Sequence, residues 1–369
     1  MPFNNSNPET GRRKVRWIIA HFPLELFVRA AKAFAVEIEK LCPGQFDIEI
    51  HTMGSYLRAY GHQMDPATVS LMKTSAVRIP GLEEPAQTLA NLGNTNPTAV
   101  KTAKDFTELG TWWQTFFSLM KEGHFELSQT QVNLIGAHLH SDFNAIDLPY
   151  LFKNHDHVSE VLDGEIGQKI SDRVAEKTGV HALGYTYSGG YRIIGSTEEI
   201  QSLSDLDSKT FISFTAPSNF MFRIADIKHL PRYLTTAEDI GDVAENGGAI
   251  ETTYLRFAGK NVLKTNHSMF MTSILTSEGF MSSLTQEQRD AFKEAAHRVA
   301  KIERIWSVED AAKYEEQAES RGVKIVPVSE ADEQRLRTAA AEVYHPSTLE
   351  KIGIDSGLVE EIINLGKKY

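Results

Sequence analysis

Arg192 closes the run Tyr-Ser-Gly-Gly-Tyr-Arg, and a guanidinium set just after a glycine turn can grip a carboxylate through two charge-assisted hydrogen bonds. An arginine there can equally pair with an acidic neighbour, and the sequence leaves both readings open. Tyr185, Tyr187, Tyr191, Phe214 and Tyr254 could wall a ligand pocket around it. Tyr185 and Tyr187 share one strand face, so one of them packing into a core is the alternative. Gln131 and Asn133 at the end of one strand, Ser213 on another and His21 at the end of the first complete the candidate ligand-binding set. For Gln131 and Asn133 the bland alternative is an ordinary exposed edge.

The histidines raise metal chemistry. His138 and His140 lie two residues apart on what reads as one strand face, Asp142 follows, and His155 and His157 come soon after. A zinc site needs three or four convergent ligands. Nucleophile elbows, phosphate-cradling glycine loops, cysteine pairs and HExxH are all absent. The YSGGY turn lacks the third glycine of a dinucleotide fingerprint. Glu245 and Glu251 carry nothing that marks them as an acid–base pair. No catalytic residue and no cofactor is expected.

The elements that position these residues follow an α/β rhythm. Val15–His21 reads as a buried strand, and Leu24–Leu41 as a helix with apolar residues at helical spacing. Phe46–His51 alternates as a half-buried strand does. Residues 62–110, with four prolines and a GNTNP turn, read as an insertion on one lobe. Helix is expected over Thr111–Lys121 and about His157–Lys177, and strand over Phe125–Val132, Val180–Tyr187 and Thr210–Phe214. The SGG after Tyr187 is expected to redirect the chain. Ser218 and Asn219 suit a helix N-cap, and further strands are expected near Ala249–Glu251 and Ser268–Leu275. Thr285 and Gln288 stand at capping-box spacing before a long charged helix reaching about Gly322.

At 369 residues the chain has room for two lobes, and 41% apolar with 24% charged residues is ordinary globular composition. A net charge of −11 without a basic run removes the usual footprint of a nucleic-acid binder. The single cysteine, Cys42, excludes an internal disulfide. No apolar run approaches the ~18 residues of a membrane helix. The first 23 residues show basic side chains without the apolar stretch of an export signal, so either the protein works in the cytoplasm, or an export signal has been removed or the start misassigned.

Three stretches resemble one family. LPYLFKNHDHVSEVLDGEIGQ (148–168), GYTYSGGYRIIGS (184–196) and TNHSMFMTSILTSEGFMSSLTQEQRDAFKEAA (265–296) are similar to the signatures of TRAP-transporter solute-binding proteins of the DctP type. The resemblance implies a two-lobed, periplasmic-binding-protein-like α/β fold with hinge strands and a long C-terminal helix. Lobe one would hold 14–187, with the 62–110 insertion and about 277–300; lobe two would hold 188–276 and C-terminal segments, behind a polar tail at 1–13. It implies a small-molecule ligand, commonly a carboxylate, TRAP permease subunits as partners, and the periplasm. A homodimer is compatible with it. In this family a histidine is common at the position of His155 and His157 without metal, so no metal site is expected. The alternative is a cytoplasmic enzyme or ligand sensor with a refitted cleft.

Two departures matter. Arg192 matches one of the family's two carboxylate-directed arginines, but Ile212 stands where the other belongs, and Glu251–Leu255 replaces a stretch that supplies an asparagine. Losing a bidentate guanidinium in a desolvated cleft costs a carboxylate roughly 2–5 kcal/mol. The expected ligand is therefore an organic acid or a partly apolar or aromatic compound. Installing the missing cation with Ile212→Arg should recruit short-chain carboxylates that the native protein ignores. Titration calorimetry of both proteins against a panel of such acids reads this; a variant that gains none would sink the assignment of position 212.

Overall fold

The computed structural model describes residues 5–20, 24–78, 103–196, 198–213, 215–231, 243–247 and 261–369. Strand β1 (Arg13–Ile19) is buried on both faces from Val15 onward, as a central strand between helical layers must be. It pairs in parallel with β2 (Phe46–Thr52) and β3 (Leu127–Gln131). The helix Leu24–Leu41 joins β1 to β2 and buries Phe27, Ala30, Phe34 and Ile38 along one stripe. Phe34 meets Trp17 edge-on at 5.0 Å, and Phe292 of the helix Gln286–Gln317 at 5.6 Å. Both helices therefore pack against each other on one face of this sheet, the face to which Val15, Trp17 and Ile19 point.

Strand β4 (Val180–Ser196) joins the two lobes. Its first half pairs antiparallel with β9 (Met269–Ser277), which in turn pairs with β3. Its second half pairs with β7 (Val243–Gly247) on one side and β8 (Asn261–Lys264) on the other. Beyond them lie β5 (Phe211–Ser213) and β6 (Leu230–Pro231) at one edge, and β10 (Lys324–Pro327) at the other. Two five- or six-strand arrays therefore share one 17-residue strand. The fold is the two-lobed α/β architecture that the sequence implied.

The glycines of SGG do not redirect the chain. Gly189 and Gly190 adopt φ of +83° and +81°, and the register with β9 slips between Tyr187 and Tyr191. The pair forms a bulge inside a strand that continues into the second lobe, a backbone shape only glycine adopts without strain. Elsewhere, the expected helix at 157–177 is two helices, His155–Asp163 and Glu165–Thr178, broken at Gly164. A Cβ on Gly167 would lie 2.2 Å from the Leu162 carbonyl oxygen, which is why the DGEIG run needs that glycine. The helix Ala216–Ile224 is capped by Thr215, not Ser218 or Asn219; Pro217 fits its first turn. His138 ends a helix, Val132–His138, and is not on a strand. In the 62–110 region the described helices Pro66–Arg78 and Ala103–Glu122 send Met72 and Trp112 into the core beside β1; residues 79–102 lie outside the described ones, as does the strand expected at Ala249–Glu251.

The capping box of Thr285 and Gln288 opens the helix Gln286–Gln317 as read, and that helix lies across β4. It fastens there through buried polar contacts. Glu303 Oε1 accepts from Gln129 on β3 at 2.7 Å, and the same amide reaches Thr186 on β4 and Thr272 on β9 at 2.8 and 3.3 Å. Arg304 donates to the Tyr185 carbonyl at 2.7 Å and to Asp163 at 2.5 Å, and Ser307 accepts from the Gly189 N–H at 2.7 Å. Burial pushes the Glu303 carboxyl up to about 8, so it is protonated at neutral pH. A carboxyl raised in the folded state stabilises fully below its unfolded value, near 4.5, and that contribution is lost as pH rises toward about 8. Glu303→Gln, which cannot ionise, should flatten the fall of melting temperature between pH 5 and 9. Parallel melting curves for the two proteins would contradict it.

Candidate functional site

In open α/β sheets ligands bind beyond the carboxyl ends of the strands. Here the chain leaves β3 at Gln131 and β5 at Ser213, each turning into a helix, while Arg192 begins the second-lobe half of β4. Arg192 and Asp147 are both fully buried, and Arg192 Nη2 donates to Asp147 Oδ1 at 3.3 Å. The guanidinium also stands 4.1 Å over the Phe270 ring of β9. Of the two readings open in the sequence, pairing with an acidic neighbour is the contact seen. Asp147 itself was not singled out there. Its only signal was an acid inside the otherwise apolar run Ala145–Leu151.

Asp147 ends the 3-10 segment Ser141–Asp147, which touches the helices Val132–His138 and Ala216–Ile224 and strand β9. Polar atoms are concentrated around this junction. Both amide atoms of Asn133, the Thr130 hydroxyl and the Ser218 hydroxyl are buried, and none makes a hydrogen bond among the described residues. Buried polar groups are nearly always satisfied, so each of these side chains has hydrogen-bonding capacity that water or a ligand could use. Gln131 is half-buried opposite Thr272, and Ser213 is buried where β5 ends. Gln131 and Ser213 thus end strands, Asn133 lies in the helix that follows β3, and Arg192 begins the second-lobe half of β4.

The tyrosines go elsewhere. Tyr185 and Tyr187 are both buried; Tyr185 donates to the Gly167 carbonyl at 3.1 Å, while Tyr187 lies 5.6 Å from the His155 ring and its hydroxyl makes no hydrogen bond among the described residues. Tyr191 is 5.9 Å from the same histidine. Adjacent strand residues point to opposite faces, so Tyr191 and Arg192 do not share a pocket. His21, Phe214 and Tyr254 lie outside the described residues, as does the Glu251–Leu255 stretch; Ile212 is placed in β5, in register with Leu230 and Ala244.

The histidines do not converge. His157 is a satisfied core residue: its Nδ1 accepts from the Lys153 N–H at 3.3 Å, leaving Nε2–H to donate to the Ile362 carbonyl at 3.1 Å. His140 Nδ1 accepts from the Asp142 N–H at 3.2 Å. Burial lowers the pKa of His138, His140, His155 and His157 alike. No group of three or more metal-ligating side chains occurs among the described residues.

Residues 109–221 and 244–351 match the family model of bacterial extracellular solute-binding protein, family 7, or DctP. The chain belongs to that family. Among its relatives are an uncharacterized protein of Haemophilus influenzae, 24% identical over 66% of this chain and 75% of that one, and the sialic acid-binding periplasmic protein SiaP of Vibrio cholerae, 24% identical over 42% of this chain and 50% of that one. Among solved structures, the sugar acid binding protein DctPAm from Advenella mimigardefordensis in complex with galactonate superposes with a TM-score of 0.70 at 17% identity, covering 97% of this chain and 98% of that one. A TRAP periplasmic solute binding protein from Roseobacter denitrificans with bound β-D-glucuronate gives 0.68 at 20% identity, covering 95% and 99%. No helix among the described residues of this DctP-family chain is long and apolar enough to cross a membrane.

The Arg192–Asp147 pair has a consequence for stability. Removing one member of a buried ion pair strands the other charge in a medium that solvates it poorly. Arg192→Ala should lower unfolding stability by about 3–5 kcal/mol, while Arg192→Met with Asp147→Leu should recover most of it. Urea denaturation of the three proteins measures both; a single variant as stable as the native chain would show that the pair contributes little.

Proposed function

We propose that this chain is the solute-binding component of a TRAP-type uptake system, closing its two lobes on a small organic acid for transfer to a membrane permease. The observation that carries the reading is the family match running through both lobes, on either side of a shared strand that bears the buried Arg192. Solved relatives hold galactonate and glucuronate, both small polyhydroxylated carboxylates. The unsatisfied Asn133, Thr130 and Ser218 atoms suit such a ligand, since hydroxyl groups would supply the hydrogen bonds they lack. With Tyr185 and Tyr187 in the core and Tyr191 on the other face, the aromatic wall once read from the sequence loses three members. That favours a polar acid over an aromatic one.

A ligand that binds only the folded chain stabilises it by about 2.7 kcal/mol at a hundredfold excess over its Kd. A thermal-shift screen of sugar acids and short hydroxy acids, with the matching neutral sugars as controls, should therefore find at least one acid that raises the melting temperature by several degrees. Native mass spectrometry should then show one such molecule per chain. Stabilisation by neutral sugars and by none of the acids would overturn the reading.

A further inference from the structure

A cavity of about 440 Å³ opens on the opposite face of β4 from Arg192. Its floor is the cross-strand pair Tyr191 and Met269, whose next neighbours Arg192 and Phe270 pack together on the other side. One wall comes from the segment Leu148–Lys153, and the other from the ends of β8 and β10 and the helix Glu330–Val343. The volume lies within the usual range for small-molecule pockets, ~300–1,000 Å³.

The lining combines cations with apolar surface. Lys153, Lys264 and Arg337 reach it, against a single lining carboxylate, Glu333. Arg337 is held by Glu333 at 2.7 Å and lies 4.4 Å over the Tyr150 ring; Lys264 is paired with Glu315 at 2.5 Å. Ser268 adds a polar atom that is buried, lines the cavity and has no hydrogen-bond partner among the described residues. Tyr150 and Asn266, with φ of +55° and +46°, are two of the three described non-glycine residues in the left-handed region, and both line this cavity. Such strain persists where surrounding structure holds it, and it clusters at binding sites. Tyr150 is held by bonds from its N–H to the His267 carbonyl at 2.6 Å and from its hydroxyl to the Thr265 carbonyl at 3.1 Å.

We propose that this cavity is a second ligand site, taking a small organic carboxylate whose charged end sits among Lys153, Arg337 and the Ser268 hydroxyl and whose apolar or aromatic body covers Tyr150 and Tyr191. With Arg337 already paired to Glu333 and Lys264 to Glu315, Lys153, which makes no ion pair among the described residues, is the lining cation left to select an anion, and the two tyrosines with Met269 select a body that inorganic anions lack. The site is independent of the acid bound between the lobes, because it lies on the other face of the shared strand.

The test is fluorine NMR on the full chain with 4-fluorobenzoate as probe and 4-fluorobenzamide as its neutral control. The benzoate should bind saturably at one site per chain in the millimolar range or tighter, and the benzamide at least tenfold more weakly. Lys153→Gln, an exposed side chain whose loss leaves the fold intact, should weaken the benzoate about three- to fivefold, and Lys153→Gln with Arg337→Met at least tenfold. Ile212→Arg, at the other site, should leave this binding unchanged. No binding of the benzoate at 10 mM, equal binding of the benzamide, indifference to Lys153→Gln, or tighter binding of inorganic phosphate in competition would each overturn the proposal.

Discussion

One strand, β4, is hydrogen-bonded into both sheets, so any movement of one lobe against the other has to be absorbed within it or within its partner β9. The structure treats that strand accordingly. At its midpoint Gly189 and Gly190 provide a bulge with soft backbone, and beside the bulge the helix Gln286–Gln317 grips it through Arg304 and Ser307. The Gln129, Thr186, Thr272 and Glu303 network ties three strands and the helix at one buried point without a net charge, because the carboxyl keeps its proton. A neutral network can be buried there at modest cost, where an ionised one could not. Stiffness on the first-lobe side and compliance at the glycines together define where a hinge can bend.

The Arg192–Asp147 pair sets the electrostatics of the lobe junction. A guanidinium already facing a carboxylate presents little net charge to an incoming anion, so an acid reaching this site meets an arginine that is partly spoken for. Isoleucine stands at position 212, where the sequence resemblance leads one to expect a second cation. Recognition must then draw more on neutral hydrogen bonds, which is the kind of partner that Asn133, Thr130 and Ser218 offer. Charge would contribute less to affinity here than the number and placement of hydroxyl groups on the ligand.

Much of the architecture was legible because it is local. The 3.6-residue stripe of Leu24–Leu41 and the capping box at Thr285 each follow from contacts within a few residues, and β2 forms as expected although its burial does not alternate. The family motif carried the two-lobed plan, and Gly167 gives part of it a steric reason. What escaped was set by distant partners. Asp147 meets Arg192 across 45 positions, and its one local signal, an acid inside the apolar run Ala145–Leu151, names no partner. The faces of Tyr187 and Tyr191 depended on whether SGG turned the chain or only bulged it, and glycine permits both. Thr215, Ser218 and Asn219 are all chemically able to cap; Pro217 in the first turn decided between them.

The route of the chain through the first lobe also bears on how the protein is made. On β3, Leu127 pairs with Thr276 of β9, and β1 to β3 cannot be sealed on that side until β9 has left the ribosome. The helix Gln286–Gln317 that covers the same sheet comes later still. Because domains generally fold as units during synthesis, the amino-terminal part spends the translation of everything between β3 and β9 with one strand edge open. Pairings of such high sequence separation form slowly and leave apolar edges exposed to other nascent chains. The shared strand therefore delays completion of both lobes, because β10 and the helix Glu330–Val343 that finish the second are made later still.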